Sequence, residues 1–98
     1  MFILLLKFGP NKARAAELME GHNRWLRQGF DDDVFLLAGS LTPGLGGGIL
    51  ARCADRAEVE ARLQADPFVV EAVVDAEILE LAPVKADARL DFLLGEAA

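Results

Sequence analysis

The stretch VFLLAGSLTPGLGGGILARC, residues 34–53, decides the fold. It consists of an apolar run at 34–41, a glycine- and proline-rich segment at 42–48, and a second apolar run at 49–53. Two short apolar runs joined by turn-forming residues are typical of a β-hairpin. The glycines lead into a strand and not into a helix, so they lack the helix dipole of a phosphate-binding loop, and we interpret them as a flexible hairpin loop.

A helix is predicted before this hairpin, over residues 12–28. Apolar residues recur there at helical spacing, which indicates an amphipathic helix with one face toward a core. Asn11 has the side chain of a helix N-cap, and Gly29 is placed where a helix commonly terminates.

A second helix is predicted after the hairpin, over residues 56–65, because Asp55 and Glu58 form a capping-box pattern. A further helical turn over 67–73 begins with proline at its first position, and Asp66 precedes it as a natural N-cap. The hairpin is therefore flanked by helical segments on both sides.

Outside the helices lie two more strand candidates, FILLLKF at 2–8 and DAEILELA at 75–82. The resulting order, β-α-β-β-α-β, predicts an α+β fold of the ferredoxin-like class, with a four-stranded antiparallel sheet and the helices on one face. We expect one domain over residues 1–83 and a C-terminal tail over 84–98, in which Leu90, Leu93 and Leu94 could form a short amphipathic turn.

The strands at 2–8 and 34–41 are apolar on both faces, and the Ile78-Leu79 pair breaks the alternation of the last strand. A sheet with helices on one face only would then expose a large apolar patch on the other. The simplest cover is a second copy of the same sheet, so we expect a homodimer that packs through the open sheet face.

Composition excludes several classes of function. The 98 residues carry ten Lys and Arg against 16 Asp and Glu, a net charge of −6, with no basic stripe for nucleic acid. The longest apolar run is far shorter than the about 20 residues of a membrane span, and it lacks the features of a signal peptide. One cysteine and one histidine cannot form a closed zinc site. We therefore expect a cytoplasmic protein without metal or cofactor.

His22, the single histidine, lies on the apolar face of the first predicted helix. It is either a core residue whose nitrogens bind the backbone or a general acid/base, and the second role needs a partner that orients the ring. Asp66 could be that partner, although a helix N-cap alone would explain it; a carboxylate can fill both roles because it has two oxygens.

Three other residues are candidate ligand contacts. Ser40 follows the small residues Ala38 and Gly39 near a strand end, where a ligand has room, although it could equally be a polar residue at a strand end. Trp25 and Phe68 are core residues that could also wall a pocket.

Several segments resemble the YciI-like (YCII-related) family, in register from Met1 to about Pro83: HNRWL around His22, LAGSL at 37–41, the pair Gly47-Gly48 before ILAR, ADPFV at 65–69 and EILELAP at 77–83. The resemblance implies a dimeric α+β barrel and an active-site pair formed by His22 and Asp66. We take Gly47, the first glycine of the pair, as a further candidate ligand contact. Relatives often carry a polar or basic residue in the loop before the glycine pair. This chain has PGLGGG there, so substrate specificity does not carry over.

We therefore predict a small enzyme in which the pair performs acid/base chemistry, such as isomerisation or elimination, on a small aromatic or lactone-type metabolite. The alternatives are a dimeric module that binds a small ligand without turning it over, and a structural subunit whose pair only tethers two helices. Room beside Ser40 favours a pocket, which a mere tether would not need.

Overall fold

Four antiparallel strands form one sheet in the spatial order β2-β3-β1-β4. The computed structural model describes residues 1–95. Its strands are β1 (Phe2–Phe8), β2 (Phe35–Leu41), β3 (Gly46–Ala51) and β4 (Val74–Glu80). Its α-helices are α1 (Ala15–Asp31), α2 (Arg56–Leu63), α3 (Pro67–Val70) and α4 (Phe92–Gly95). This order and connectivity confirm the predicted α+β, ferredoxin-like fold.

Both ends of the first helix differ from the prediction. A 3₁₀ turn over Lys12–Arg14 comes first, and Asn11 does not cap it; the Asn11 Nδ2 group instead donates to the Glu71 carbonyl oxygen at 2.8 Å. Gly29 does not end the helix, which continues for two more residues. A Cβ at Gly29 would lie 2.0 Å from the ring of Phe35, so the glycine permits close packing of α1 on β2.

The caps of the other helices follow the sequence pattern. The Glu58 N–H donates to Oδ1 of Asp55 at 2.9 Å, and Oε2 of Glu58 accepts from the Ala54 N–H at 3.1 Å. Oδ1 of Asp66 accepts from the Phe68 N–H at 3.0 Å. Such caps satisfy helix N–H groups that have no intrahelical partner.

The prediction of a flexible glycine loop over 42–48 is wrong for residues 46–48. Gly46, Gly47 and Gly48 belong to β3, where they pair with residues 5–7 of β1. Glycine is a poor strand former because it has no side chain to pack, and this hid the strand in the sequence. The backbone ladder needs no side chain, and the central place of β3 between two strands supplies its partners.

The core lies between the sheet and helices α1 to α3. Alternate residues of β1, namely Phe2, Leu4 and Leu6, are buried on this side, as the two-residue period of a strand requires. The rest of the cluster comes from the other strands, the helices and the segments beside them: Trp25, Val34, Phe35, Ile49, Ala51, Val59, Leu63, Phe68, Val73 and Val74.

The opposite face of the sheet carries the predicted apolar row at one end, whereas Lys7, Asp75 and Glu77 make its other end polar. Leu37, Leu50, Ile3 and Leu79 are paired neighbours and form one row across all four strands. Leu37 and Leu79, at the ends of this row, are 59% and 44% exposed.

The tail covers part of that open face, for which the sequence predicts a second copy as the cover. Leu93 of α4 is buried, and the Arg52 guanidinium lies 5.4 Å from the centroid of the Phe92 ring. A cavity of about 760 Å³ remains between the tail and the sheet. Residues 96–98 of the predicted tail lie outside the described residues. Within residues 1–95, no helix is long and apolar enough to cross a membrane.

Candidate functional site

A cavity of about 330 Å³ lies between α1 and one end of the sheet. Its roof is one face of α1, with Met19, His22, Asn23 and Leu26 at helical spacing. Residues of β2 and β3 form most of its floor, with Leu6 and Phe8 of β1 and Val74 of β4 beside them. The cavity is at the small end of the range for small-molecule sites, and most of its lining is apolar.

The floor is open because β3 loses its side chains there. Ile49 pairs with Leu4 and fills the space under the helices. Two residues earlier on the same face, Gly47 pairs with Ser40 and leaves that space empty. The predicted ligand contacts Ser40 and Gly47 therefore both line the cavity.

His22 and Asp66, 44 residues apart in the chain, are in contact. Nδ1 of His22 lies 2.9 Å from Oδ1 of Asp66. Asp66 is fully buried, while the His22 side chain is 13% exposed. Because Oδ1 also accepts the Phe68 N–H, it acts as an acceptor, and we assign the ring hydrogen to Nδ1. One carboxylate thus caps α3 and orients the imidazole.

The other ring nitrogen of His22 is available for chemistry. Nε2 makes no hydrogen bond within residues 1–95, and this atom is not fully buried. Since His22 lines the cavity, Nε2 is the nitrogen that a ligand can reach. A neutral imidazole with its hydrogen on Nδ1 has a lone pair on Nε2, which is the state of a general base.

The segment Asp66-Pro67-Phe68 holds the imidazole on two sides. Asp66 binds its edge, and the Phe68 ring stacks on its face with centroids 4.0 Å apart and an interplanar angle of 6°. Phe68 also lines the cavity. Gly21 allows this contact between the helices, because a Cβ there would lie 3.1 Å from Cγ of Pro67.

Trp25 does not line the cavity, although the sequence made it a candidate ligand contact. It is buried, its Nε1–H donates to the Arg62 carbonyl oxygen at 2.8 Å, and its ring centroid lies 5.7 Å from that of His22. The bond to Arg62 draws the indole toward α2. Trp25 therefore supports the imidazole from within the core.

Sequence reasoning missed Asn23 and Met19 as cavity residues. Met19 lies one turn before His22 and could have been found from helical spacing. Asn23 directly follows His22, and nothing in its type or spacing separates it from an ordinary exposed polar residue. With His22 and Ser40, it is one of the polar side chains of the lining.

Charge is sparse around the cavity. The lining includes no Lys or Arg side chain among the residues that the structure describes. The Lys12 ammonium lies 4.6 Å from the centroid of the Phe8 ring, which lines the cavity. Residues 1–95 hold no group of three or more His, Cys, Asp and Glu side chains that could bind a metal ion, and the absence of a cofactor stays a prediction.

Comparisons with known proteins agree with this architecture. A family model described as "YCII-related domain" matches residues 1–82. No curated protein sequence matches the chain at a significant level. Among solved structures, it is similar to 5-chloro-2-hydroxyhydroquinone dehydrochlorinase (TftG) from Burkholderia phenoliruptrix, in complex with 2,5-dihydroxybenzoquinone. The TM-score is 0.67 at 12% sequence identity, over 83% of this chain and 93% of that one, which is a likeness of fold.

Proposed function

The chain belongs to the YCII-related domain family, and from this premise we propose that it is a small enzyme that transfers protons on a ring-shaped metabolite, aromatic or lactone-type. His22 is the general acid/base and Asp66 orients it. The observation that carries the proposal is the division between the ring nitrogens: Nδ1 binds a buried carboxylate, and Nε2 has no partner within residues 1–95, on a side chain that lines the cavity.

In an elimination, Nε2 of His22 accepts a proton from the substrate. The electron pair of the broken bond to hydrogen becomes the new double bond, and the leaving group departs as an anion. In an isomerisation, the same nitrogen returns the proton to a different atom. Either reaction creates an imidazolium ion, which the adjacent Asp66 carboxylate stabilises.

This chemistry is within reach of so small a site. Proton transfer by a positioned side chain contributes about 10²–10⁴-fold to a rate. That contribution suits substrates whose protons are already acidic, such as hydroxylated rings and enols. The dehydrochlorination named for the similar solved structure is a reaction of this kind, and its bound dihydroxybenzoquinone is a ring with acidic hydroxyl groups.

The test is chloride release from 5-chloro-2-hydroxyhydroquinone. We expect turnover by the wild type and a rate about 10²–10⁴-fold lower in His22→Gln. Arg27→Gln, on an exposed position of α1, is the matched control and should keep the wild-type rate. Equal rates in His22→Gln and the wild type would contradict the proposal. Saturable binding without turnover would favour the ligand-binding module.

The role of Asp66 has a spectroscopic test. Long-range ¹H–¹⁵N correlation spectra distinguish a protonated ring nitrogen from an unprotonated one. In neutral wild-type His22 we expect the hydrogen on Nδ1, and in Asp66→Ala a shift of the population toward Nε2–H, because the acceptor is gone. An unchanged tautomer would leave Asp66 with its capping role only.

We also propose that two copies pair through the open sheet face. The row formed by Leu37, Leu50, Ile3 and Leu79 is too apolar to face water, and the tail leaves both of its ends exposed. In this arrangement, residues 1–83 form the functional domain and 84–98 an added tail. The unpaired thiol of Cys53 fits a reducing, cytoplasmic setting.

Light scattering tests this assembly. We expect twice the mass of the 10.6 kDa chain, and a monomer for Leu79→Asp, which places a charge on the open face. Val70→Asp is the control, because Val70 is 56% exposed but belongs to the helical layer. A stable wild-type monomer would refute the dimer.

A further inference from the structure

The floor of the cavity is bare backbone. On the helix-covered face, one row of the sheet consists of Ala38, Ile49, Leu4 and Ile78, and the next consists of Ser40, Gly47, Leu6 and Ala76. The change from isoleucine to glycine within β3 removes a whole side chain at the centre of the second row. A ligand there can approach the peptide plane of β3 directly.

The three glycines of β3 are not equivalent. Gly46 has φ +130°, and a Cβ there would lie 2.0 Å from the Leu6 carbonyl oxygen, so the backbone itself requires glycine. A Cβ at Gly48 would lie on the opposite face, 3.4 Å from Cδ2 of Leu41. A Cβ at Gly47 would meet nothing closer than the Gly39 carbonyl oxygen, at 3.5 Å. Gly47 is thus the glycine whose missing side chain opens the cavity without any demand from the backbone.

Two neighbours of His22 limit the directions from which a ligand can approach its ring. Phe68 covers one face of the imidazole in parallel contact, and Asp66 occupies the Nδ1 edge. A ligand therefore meets the edge that carries Nε2, while its own body lies over the floor at Gly47. Asn23 and Ser40 lie within the same lining and can bind polar groups at the ligand's rim.

We propose that Gly47 is a specificity-determining residue: it selects planar, unsaturated rings, whose flat face packs on the backbone of β3, over puckered, saturated rings. The inference rests on the proposed function for the location of the ligand, and it adds the shape of the ligand and the residue that sets it. A saturated ring carries axial hydrogens on both faces, which prevent close packing on a flat peptide surface. Dispersion attraction falls steeply with such a gap.

The experiment compares Gly47→Ala with Gly48→Ala, two identical changes in adjacent residues of β3 that point to opposite faces. The probes are hydroquinone and 1,4-cyclohexanediol, two neutral rings with the same two hydroxyl positions, one flat and one puckered. Affinities come from NMR titration. Circular dichroism checks that each variant is folded.

We expect the wild type to bind hydroquinone at least tenfold more tightly than the diol. Gly47→Ala should weaken hydroquinone binding about tenfold, since one carbon in a close-fitting pocket has that size of effect, and Gly48→Ala should stay within about twofold. Equal affinities of the wild type for the two rings overturn the inference, and this comparison does not depend on any variant. Equal effects of the two alanine substitutions, or no binding of either ring, overturn it as well.

Failure of this inference is distinguishable from failure of the proposed function. If chloride release depends on His22 while both alanine variants behave alike, only the role of Gly47 is refuted. If hydroquinone is preferred and Gly47→Ala weakens it, but the wild type shows no turnover, only the enzymatic role of His22 is refuted.

Discussion

The two ends of the helix-covered face of the sheet use the same strands, yet one is filled and the other is hollow. At the filled end, Ile49 and Leu4 lie in the core with Val59, and each is at most 4% exposed. At the hollow end, Gly47 and Ser40 form the floor of the cavity. The space lies where β3 changes from the isoleucine side chain at residue 49 to none at Gly47.

We expect this difference to separate stability from the proposed function. The filled end buries large apolar side chains, which provide most of the favourable free energy of folding. The hollow end gives up that burial, and in the same place lie the imidazole of His22 and its bond to Asp66. Substitutions at the two ends should therefore affect different measurements.

The largest expected effect is at the filled end. Leu4→Ala should lower the free energy of unfolding by about 3 kcal/mol, because it removes a side chain that is 1% exposed and leaves a void in a close-packed layer. Urea unfolding followed by circular dichroism measures it. Val70→Ala, 56% exposed on the helical layer, is the control and should cost less than about 1 kcal/mol. Similar losses in both variants would show that the filled end is no better packed than an exposed position.

A second test compares glycines at the two ends. Gly29→Ala should destabilise the protein by about 2 kcal/mol, because the new methyl group overlaps the ring of Phe35, which is buried and has Trp25 at 5.0 Å. The higher helix propensity of alanine offsets only about 1 kcal/mol of the clash. Gly47→Ala should change stability by less than about 1 kcal/mol, since its methyl group enters empty space. Equal losses in thermal unfolding would mean that the hollow end is not hollow.

The smallest effect concerns Cys53, which follows β3 beyond the filled end and packs against the core. Burial raises the pKa of this thiol above its ordinary value, and the charge of Glu58 adds to the shift. Because the thiolate is the reactive form, we expect slow alkylation by iodoacetamide at pH 8. The alkylation rate should keep rising with pH above the pH at which the rate of a free thiol levels off. The unfolded chain loses this proton at lower pH, so stability should fall slightly as the pH rises beyond the ordinary thiol pKa. Alkylation as fast as that of free cysteine at pH 8 would contradict the burial.

The order of the elements could be predicted from the sequence because the signals that mark them act over a few residues. Asp55 and Asp66 each cap a helix through an N–H that lies three or two residues away, so the pattern contains the whole interaction. The wrong assignments arose where the residue type is explained by a contact with another element of the fold. The sequence predicts a helix end at Gly29 because the contact of this residue with Phe35 depends on the packing of α1 on β2. It predicts a loop at Gly46 to Gly48 because the partners of these residues lie in β1.

By itself, the sequence determined the fold class and an apolar row on the open face, because the periodicity of the side chains and the local caps are sufficient for these. The resemblance to the YCII-related family added the candidate pair, His22 and Asp66. Only the tertiary structure decided that His22 touches Asp66, that Trp25 turns away from the cavity, that the tail covers part of the open face and that Gly47 leaves a hollow beneath the imidazole. Each of these depends on how closely two distant elements approach, and a distance of a few ångströms between segments 44 residues apart has no local signature in the chain.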